Sequence, residues 1–117
     1  MAAQSFDDRD GWIWMDGEFI QHRDARVHIL SHAMHYASAV FEGERAYDGV
    51  IFKSREHSER LHTSARILGF QLPYSAEEID RAKAELVARQ GTPNCYMRAI
   101  AWRGSEQMGV SAKRDDV

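Results

Sequence analysis

Two short segments alternate apolar runs with a turn pair, and they give the clearest structural pattern in the chain. In each segment an Asp-Gly pair separates two apolar runs, at Asp16-Gly17 and at Asp48-Gly49. Two-residue hairpin turns that match strand twist need positive φ at the turn positions, which Asp-Gly pairs adopt readily. The pattern therefore predicts two β-hairpins and an antiparallel sheet.

Helical periodicity marks two later segments. Within residues 55–69, Leu61, Ala65 and Leu68 recur at helical spacing, and Gly69 is placed to end the helix. A second helix is predicted from a capping box, in which Ser75 precedes Glu78 by three residues. Gly91 stands where this second helix should end.

The rest of the chain gives weaker patterns. Residues 28–41 are rich in small and apolar side chains and predict a short buried helix or a turn-rich segment that ends at Gly43. Residues 95–102 alternate in part and predict a strand. We therefore predict an α+β fold, with an antiparallel sheet and about two helices packed on it. Residues 1–10 are expected to form a flexible lead-in, 11–104 a small domain, and 105–117 a polar linker.

Composition narrows the class of protein. The 117 residues suit one small domain, and 44% hydrophobic with 28% charged residues is typical of a globular protein. A net charge of −3 argues against a nucleic-acid module with a broad basic surface. No apolar run approaches the ~20 residues that cross a bilayer. Cys95 has no second cysteine to bond, so we expect a reducing, cytoplasmic location.

Histidine spacing raises the possibility of a metal site. His28 and His32 are four residues apart, and His32 and His35 are three apart, so either pair can share a helix face. A zinc site needs three or four ligands, and neither a cysteine pair nor the HExxH pattern is present. We therefore predict structural histidines and no metal site.

Two polar groupings can bind anions. His57, Arg60 and Ser64 fall on one stripe of the first long helix, which fits either a solvated face or a phosphate site. Tyr96 and Arg98 are two residues apart on a predicted strand, so they share a face. That pair fits either a carboxylate receptor or an ordinary cross-strand aromatic beside a surface charge.

Lysine is scarce, with three residues against twelve arginines. Lys83 is expected on the exposed part of the second helix, and Lys113 in the tail. None of the three, Lys53 included, is predicted to have the buried apolar surroundings that lower the pKa of an amine. Catalysis through a local amine is therefore not expected.

Several runs together resemble a known family. They are WIWMDGEFIQHRDARVH, VHILSHAMHYASAVFEGERAY (27–47), REHSERLHTSARIL (55–68), YMRAIAWRG (96–104) and the MGV run at 108–110. In this order they resemble the N-terminal domain of branched-chain amino-acid aminotransferases, which are pyridoxal-phosphate enzymes of fold type IV. The resemblance covers nearly the whole chain from about residue 11.

The resemblance implies roles for six residues. Arg60 stands at the family's phosphate-binding arginine, in the EHxxRLxxSA motif. Pyridoxal 5'-phosphate is the implied cofactor, and an amino acid and a 2-oxo acid are the implied substrates. The family forms homo-oligomers, dimers or larger, with sites at the subunit interface. The residues implied to contact substrate are Tyr36, Phe41, Tyr96, Arg98 and Val110, of which Tyr36 and Val110 serve the neighbouring subunit's site.

Two positions depart from the family pattern. The family usually has glycine where this chain has Ala37, and a methyl group there is tolerated unless φ is positive. The family usually has an aliphatic residue where this chain has Glu44, which we expect either to pair near Arg45 or to alter strand packing.

The family's Schiff-base lysine lies in a C-terminal domain, so the resemblance implies no catalytic residue in this chain. We therefore expect a fragment of a transaminase of leucine, isoleucine and valine that is inactive alone and that does not retain the cofactor. One alternative is another fold-type IV enzyme, a D-amino-acid aminotransferase or aminodeoxychorismate lyase. The other is a stand-alone, non-catalytic binding or dimerisation domain.

Overall fold

The fold is built around one long central strand. The structure is a computed structural model and describes residues 3–111 and 115–117. A 3-10 turn at His22–Asp24 follows the first hairpin. The strands and helices are β1 (Trp12–Met15), β2 (Glu18–Gln21), α1 (His32–Tyr36), β3 (Ala39–Tyr47), β4 (Val50–Ile51), α2 (Ser54–Ile67), α3 (Ala76–Gln90) and β5 (Cys95–Trp102).

Both predicted hairpins are confirmed. β1 pairs with β2, and β3 pairs with β4, each in antiparallel register. The turn residues have positive φ: 52° at Asp16, 88° at Gly17, 50° at Asp48 and 83° at Gly49. The hairpins belong to separate sheets, since β1 and β2 form one and the order β4-β3-β5 forms the other.

Both predicted helices are also confirmed. α2 is followed by Gly69, which has a φ of 88°. α3 begins at the predicted cap, where the Glu78 backbone N–H donates to Ser75 Oγ at 3.1 Å. It ends at Gly91, a left-handed residue with φ 68°. Within the described residues, no helix combines the length and the apolar character that a membrane span requires.

The helices cover one face of the three-stranded sheet. Alternate residues of β3 point into that face, and they include two carboxylates, Glu42 and Glu44, beside Val40 and Ala46. A cluster of apolar side chains from the sheet, α2, α3 and the connecting loop closes the core on this side. Its buried members are Val40, Leu61, Ala65, Phe70, Ile79 and Ala101.

The segment at 28–41 differs from the prediction in where it ends. The short helix is present as α1, but the strand β3 already begins at Ala39, and Gly43 lies in the middle of it. Long-range pairing decides this, because β3 runs along β5 from Ala39 opposite Trp102 to Ala46 opposite Cys95. The composition of residues 28–43 alone does not indicate that this segment pairs with β5.

Ala37 occupies the conformation that favours glycine. It caps the C-terminus of α1 with φ 56° and ψ 31°, and its N–H donates to Ala33 O at 2.9 Å. Replacing Ala37 with glycine is expected to raise the free energy of unfolding by about 1 kcal/mol, because the methyl group is strained there. Urea unfolding measures this. Ala39→Gly, in the extended strand, should instead destabilise, and a loss of stability in both variants would contradict the assignment.

Candidate functional site

A buried carboxylate holds an exposed arginine on the helix side of the sheet. Arg60, from α2, donates through Nε to Glu42 Oε2 at 2.8 Å and through Nη2 to Glu42 Oε1 at 2.7 Å. His57, one turn earlier on α2, places its Nδ1 2.7 Å from the same Oε1. The Glu42 side chain is 5% exposed and that of Arg60 is 66% exposed. The buried strand therefore fixes the base of a side chain whose end reaches solvent.

The contact between Glu42 and Arg60 favours the ionised form of both side chains. The hydrogen bonds from Arg60 lower the pKa of Glu42, burial opposes them, and the bond from His57 lowers it further. The same contact raises the pKa of Arg60. Among the described residues, the contacts to Arg60 lie on its Nε and Nη2 side, which leaves the rest of the planar fork open. An oriented, exposed guanidinium fits a phosphate group, although the Glu42 charge means that a phosphate dianion needs further donors.

The opposite face of the sheet carries an aromatic and cationic surface. Arg98 lies with its guanidinium carbon 4.3 Å from the centre of the Phe41 ring, and its Nε donates to the Tyr96 hydroxyl at 3.1 Å. Phe41 and Tyr96 are about half exposed. The prediction that Tyr96 and Arg98 share a face is therefore confirmed, and Phe41 joins them from the neighbouring strand. A phenol, a guanidinium and an aromatic ring suit a substrate with a carboxylate and an apolar side chain.

Gly43 makes this arrangement possible, and sequence reasoning missed it. It lies opposite Arg98 and two residues before Arg45, the partner of Tyr96. A Cβ atom at position 43 would stand 2.8 Å from the Tyr96 hydroxyl oxygen, too close for any side chain without a shift of Tyr96. The signal available in the sequence was a glycine within an alternating run, which indicates close approach in a strand.

A third group lies where α1 meets the chain after β5. The Tyr36 hydroxyl donates to the Met108 carbonyl oxygen at 3.0 Å. His32 is buried, with Nδ1 2.6 Å from Ser38 Oγ and Nε2 3.2 Å from the Val110 carbonyl oxygen. These bonds bring Tyr36, in α1, and Val110, in the chain after β5, into one cluster. The Val110 side chain stays exposed. His32 thus makes structural hydrogen bonds, and the described residues contain no group of three or more metal-ligating side chains.

The six residues implied by the resemblance therefore fall into three places. Arg60 reaches Glu42 from the helix that covers one face of the sheet, whereas Phe41, Tyr96 and Arg98 stand on the other face. Tyr36 and Val110 belong to the loop cluster.

The prediction for Lys83 is wrong. Lys83 is 5% exposed, because α3 turns it inward together with Ile79, Ala82 and Val87. Its ammonium donates to Glu44 Oε1 at 2.6 Å, to Ser58 Oγ at 2.7 Å and to the Ser54 carbonyl oxygen at 3.1 Å. Glu44 is therefore paired with Lys83, and not with the neighbours of Arg45 as one expectation had it. Lys53 is exposed, and Lys113 lies outside the described residues.

The sequence and the fold match one enzyme family. The model of the class IV amino-transferase family matches residues 39–117, and the chain belongs to that family. Class IV aminotransferases use pyridoxal phosphate.

Within the family, the chain is similar to branched-chain aminotransferases, as the sequence runs predicted. It is 46% identical over 112 residues to the branched-chain-amino-acid aminotransferase of Pseudomonas aeruginosa, covering 92% of this chain and 36% of that protein. The crystal structure of the T.th. branched-chain amino acid aminotransferase complexed with N-(5'-phosphopyridoxyl)-L-glutamate has a TM-score of 0.87 at 39% identity, over 92% of this chain and 38% of that one.

A third comparison involves an archaeal enzyme. The branched-chain aminotransferase of Thermoproteus uzoniensis, solved with norvaline, has a TM-score of 0.85 at 34% identity, again over 92% of this chain and 38% of that one. The chain thus spans about a third of the length of the relatives that it matches.

Proposed function

We propose that this chain forms the N-terminal part of a branched-chain aminotransferase, which exchanges an amino group between leucine, isoleucine or valine and 2-oxoglutarate. The observation that carries the proposal is the Arg60 fork, ionised and oriented by the buried Glu42 while its end is exposed. Similarity to named branched-chain enzymes supports the choice within the family.

In this proposal Arg60 holds the cofactor phosphate. Pyridoxal phosphate, when bound, supplies the electron sink for bond breaking at the substrate's α-carbon. Arg98 and the Tyr96 hydroxyl bind the substrate carboxylate, and Phe41 contacts its aliphatic side chain. Tyr36 and Val110 face the site of a neighbouring subunit, in a dimer or larger assembly located in the cytoplasm.

The chain alone is proposed to be inactive, because neither of its two described lysines suits a link to the cofactor: Lys83 is held in the core, and Lys53 is exposed without the buried surroundings of a Schiff-base amine. All three ammonium protons of Lys83 are donated within the core, to Glu44, Ser58 and Ser54. A linking lysine must reach the cofactor, and the buried ion pair with Glu44 holds Lys83 inside the core. Cofactor retention by this chain alone is likewise not expected, since Arg60 offers a single, already paired cation.

The proposed activity is tested by comparing this chain with the longer product of the same reading frame. We expect the longer product to transaminate leucine, isoleucine and valine with 2-oxoglutarate, and the 117-residue chain to show no turnover. Preference for D-alanine would favour a D-amino-acid aminotransferase, and cleavage of aminodeoxychorismate would favour the lyase. Turnover by this chain alone, or a native product of 13.4 kDa, would contradict the proposal, the latter in favour of a binding module.

The role of Arg60 is tested in the longer product. Arg60→Ala should weaken pyridoxal phosphate binding by roughly 10- to 100-fold, the range for a lost charged hydrogen bond. Absorbance titration of the cofactor measures this. Arg66→Ala is the matched control, because Arg66 is an exposed arginine of α2 whose Nη2 donates only locally, to Thr63 Oγ1 at 3.1 Å. Equal losses in both variants would reject Arg60 as the phosphate residue.

A further inference from the structure

Five polar side chains form a buried network between β3, α2 and α3. Lys83 joins Glu44 to Ser58 and to the Ser54 carbonyl oxygen. Asp80 accepts hydrogen bonds from the Ser54 hydroxyl at 3.0 Å and from the Ser58 hydroxyl at 2.5 Å. Ser58 is 1% exposed and Glu44 is 3% exposed. We call this set, Glu44, Ser54, Ser58, Asp80 and Lys83, the buried polar network.

The network anchors a helix start that lacks a cap of its own. The residue before α2, Lys53, is left-handed with φ 58° and makes no side-chain capping hydrogen bond. α3, by contrast, is capped by Ser75. The first turn of α2 is instead tied to its surroundings by α3 side chains, through Asp80 and Lys83. Its position thus depends on tertiary contacts more than on local ones.

The same helix carries the phosphate arginine. Residues 54 and 58 form one stripe of α2 and face the network, while residues 57 and 60 form the adjacent stripe and reach Glu42. Glu42 and Glu44 are alternate residues on one face of β3. Two carboxylates of one strand therefore hold α2, one through Arg60 and the other through Lys83. A shift of α2 at the network moves Arg60 relative to Glu42.

We propose that Lys83, Asp80 and Ser58 are positioning residues for the phosphate-binding fork of Arg60. The inference rests on the proposed function of Arg60. None of the three contacts Arg60 or the open side of its fork. They fix the position of α2 against β3 and α3. The buried ammonium of Lys83 requires the Glu44 carboxylate as its partner.

The experiment follows Arg60 itself by nuclear magnetic resonance of the cofactor-free longer product, because in this chain alone Arg60 offers phosphate a single, already paired cation. The Arg60 Nε–Hε resonance reports its bond to Glu42, and titration with inorganic phosphate, at constant ionic strength, reports the open side of the fork. Ser58→Ala removes the shared hydroxyl. Glu44→Leu/Lys83→Met removes the Lys83–Glu44 ion pair with little change in volume and leaves Asp80 with Arg55 as its partner cation. Thr63→Ala is the matched control, since its hydroxyl bonds only to the Glu59 carbonyl oxygen and to Arg66, outside the network.

We expect both network variants to shift the Arg60 resonance and to weaken phosphate binding roughly threefold to tenfold, with the control unchanged. If Ser58→Ala does not fold, the double variant without the Lys83–Glu44 ion pair decides. Wild-type affinity and resonance position in folded network variants would overturn the inference and leave the role of Arg60 intact. A wild-type Arg60 resonance that does not respond to phosphate would instead reject the proposed role of Arg60, and this inference with it.

Discussion

Replacing Lys83 with methionine is expected to lower the free energy of unfolding by roughly 3–5 kcal/mol. The side chain is buried, and its loss leaves the Glu44 carboxylate inside the protein without its partner cation. Glu44 Oε2 already lacks a hydrogen-bond partner among the described residues, so no second donor compensates. Urea unfolding at neutral pH measures the loss. Lys53→Met, at an exposed lysine, should change stability by less than about 0.5 kcal/mol.

Removing both charges together should have a much smaller effect. Glu44→Leu/Lys83→Met replaces a buried ion pair with apolar side chains of similar volume, which is often neutral or stabilising. The resemblance points the same way, because the family usually has an aliphatic residue at position 44. A double variant as unstable as Lys83→Met alone would show that the hydrogen bonds of the network, and not charge balance, dominate at this site.

The elements that the sequence predicted well are those set by local chemistry. The turns at Asp16-Gly17 and Asp48-Gly49 need positive φ, which these residues supply, and the cap at Ser75 is a contact between residues three apart. Gly69 and Gly91 end their helices for equally local reasons. In each case, the cause and the effect lie within one turn of the chain.

The parts that were missed depend on partners far away in sequence. Lys83 was expected on the exposed part of the second helix. It is buried because of partners that stand 39 and 25 residues away, Glu44 and Ser58. The two unusual residues, Glu44 and Lys83, explain each other only when seen together. Gly43 likewise has meaning only beside Tyr96.

The candidate site shows the same division. Spacing alone placed Tyr96 and Arg98 on one face, but left their role open. The stripe of His57 and Arg60 was visible in the sequence, whereas its anchor, Glu42, was not singled out, because it lies 18 residues before Arg60 on another element. The family resemblance supplied the expected roles, and the geometry supplies the carboxylate that orients the arginine.

Acid is expected to destabilise the fold by up to about 3 kcal/mol between pH 6 and pH 3, through two carboxylates that fix α2. Hydrogen bonds from Arg60 lower the pKa of Glu42. Burial raises it, the bond from His57 lowers it again, and the pKa lies below the ordinary 4.5. Burial raises the pKa of Asp80, but bonds from Ser58, Arg55 and Ser54 outweigh it, and the pKa lies below the ordinary 3.8.

The sign follows from these directions. A carboxyl group with a depressed pKa in the folded state contributes its full stability above its unfolded pKa, and the contribution is lost as pH falls through the folded pKa. The contribution of Glu42 and Asp80 to the free energy of unfolding should therefore be constant above about pH 5 and fall steeply below about pH 4.

Urea unfolding between pH 6 and pH 3 measures this fall in stability. Glu42→Gln and Asp80→Asn should each be less stable at pH 7 and lose less on acidification, whereas Glu59→Gln, an exposed glutamate of α2, should follow the wild-type curve. If stability falls as steeply below about pH 4 in both variants as in the wild type, other carboxylates govern acid unfolding. The contacts of Glu42 and Asp80 with α2 are then weaker than their geometry indicates.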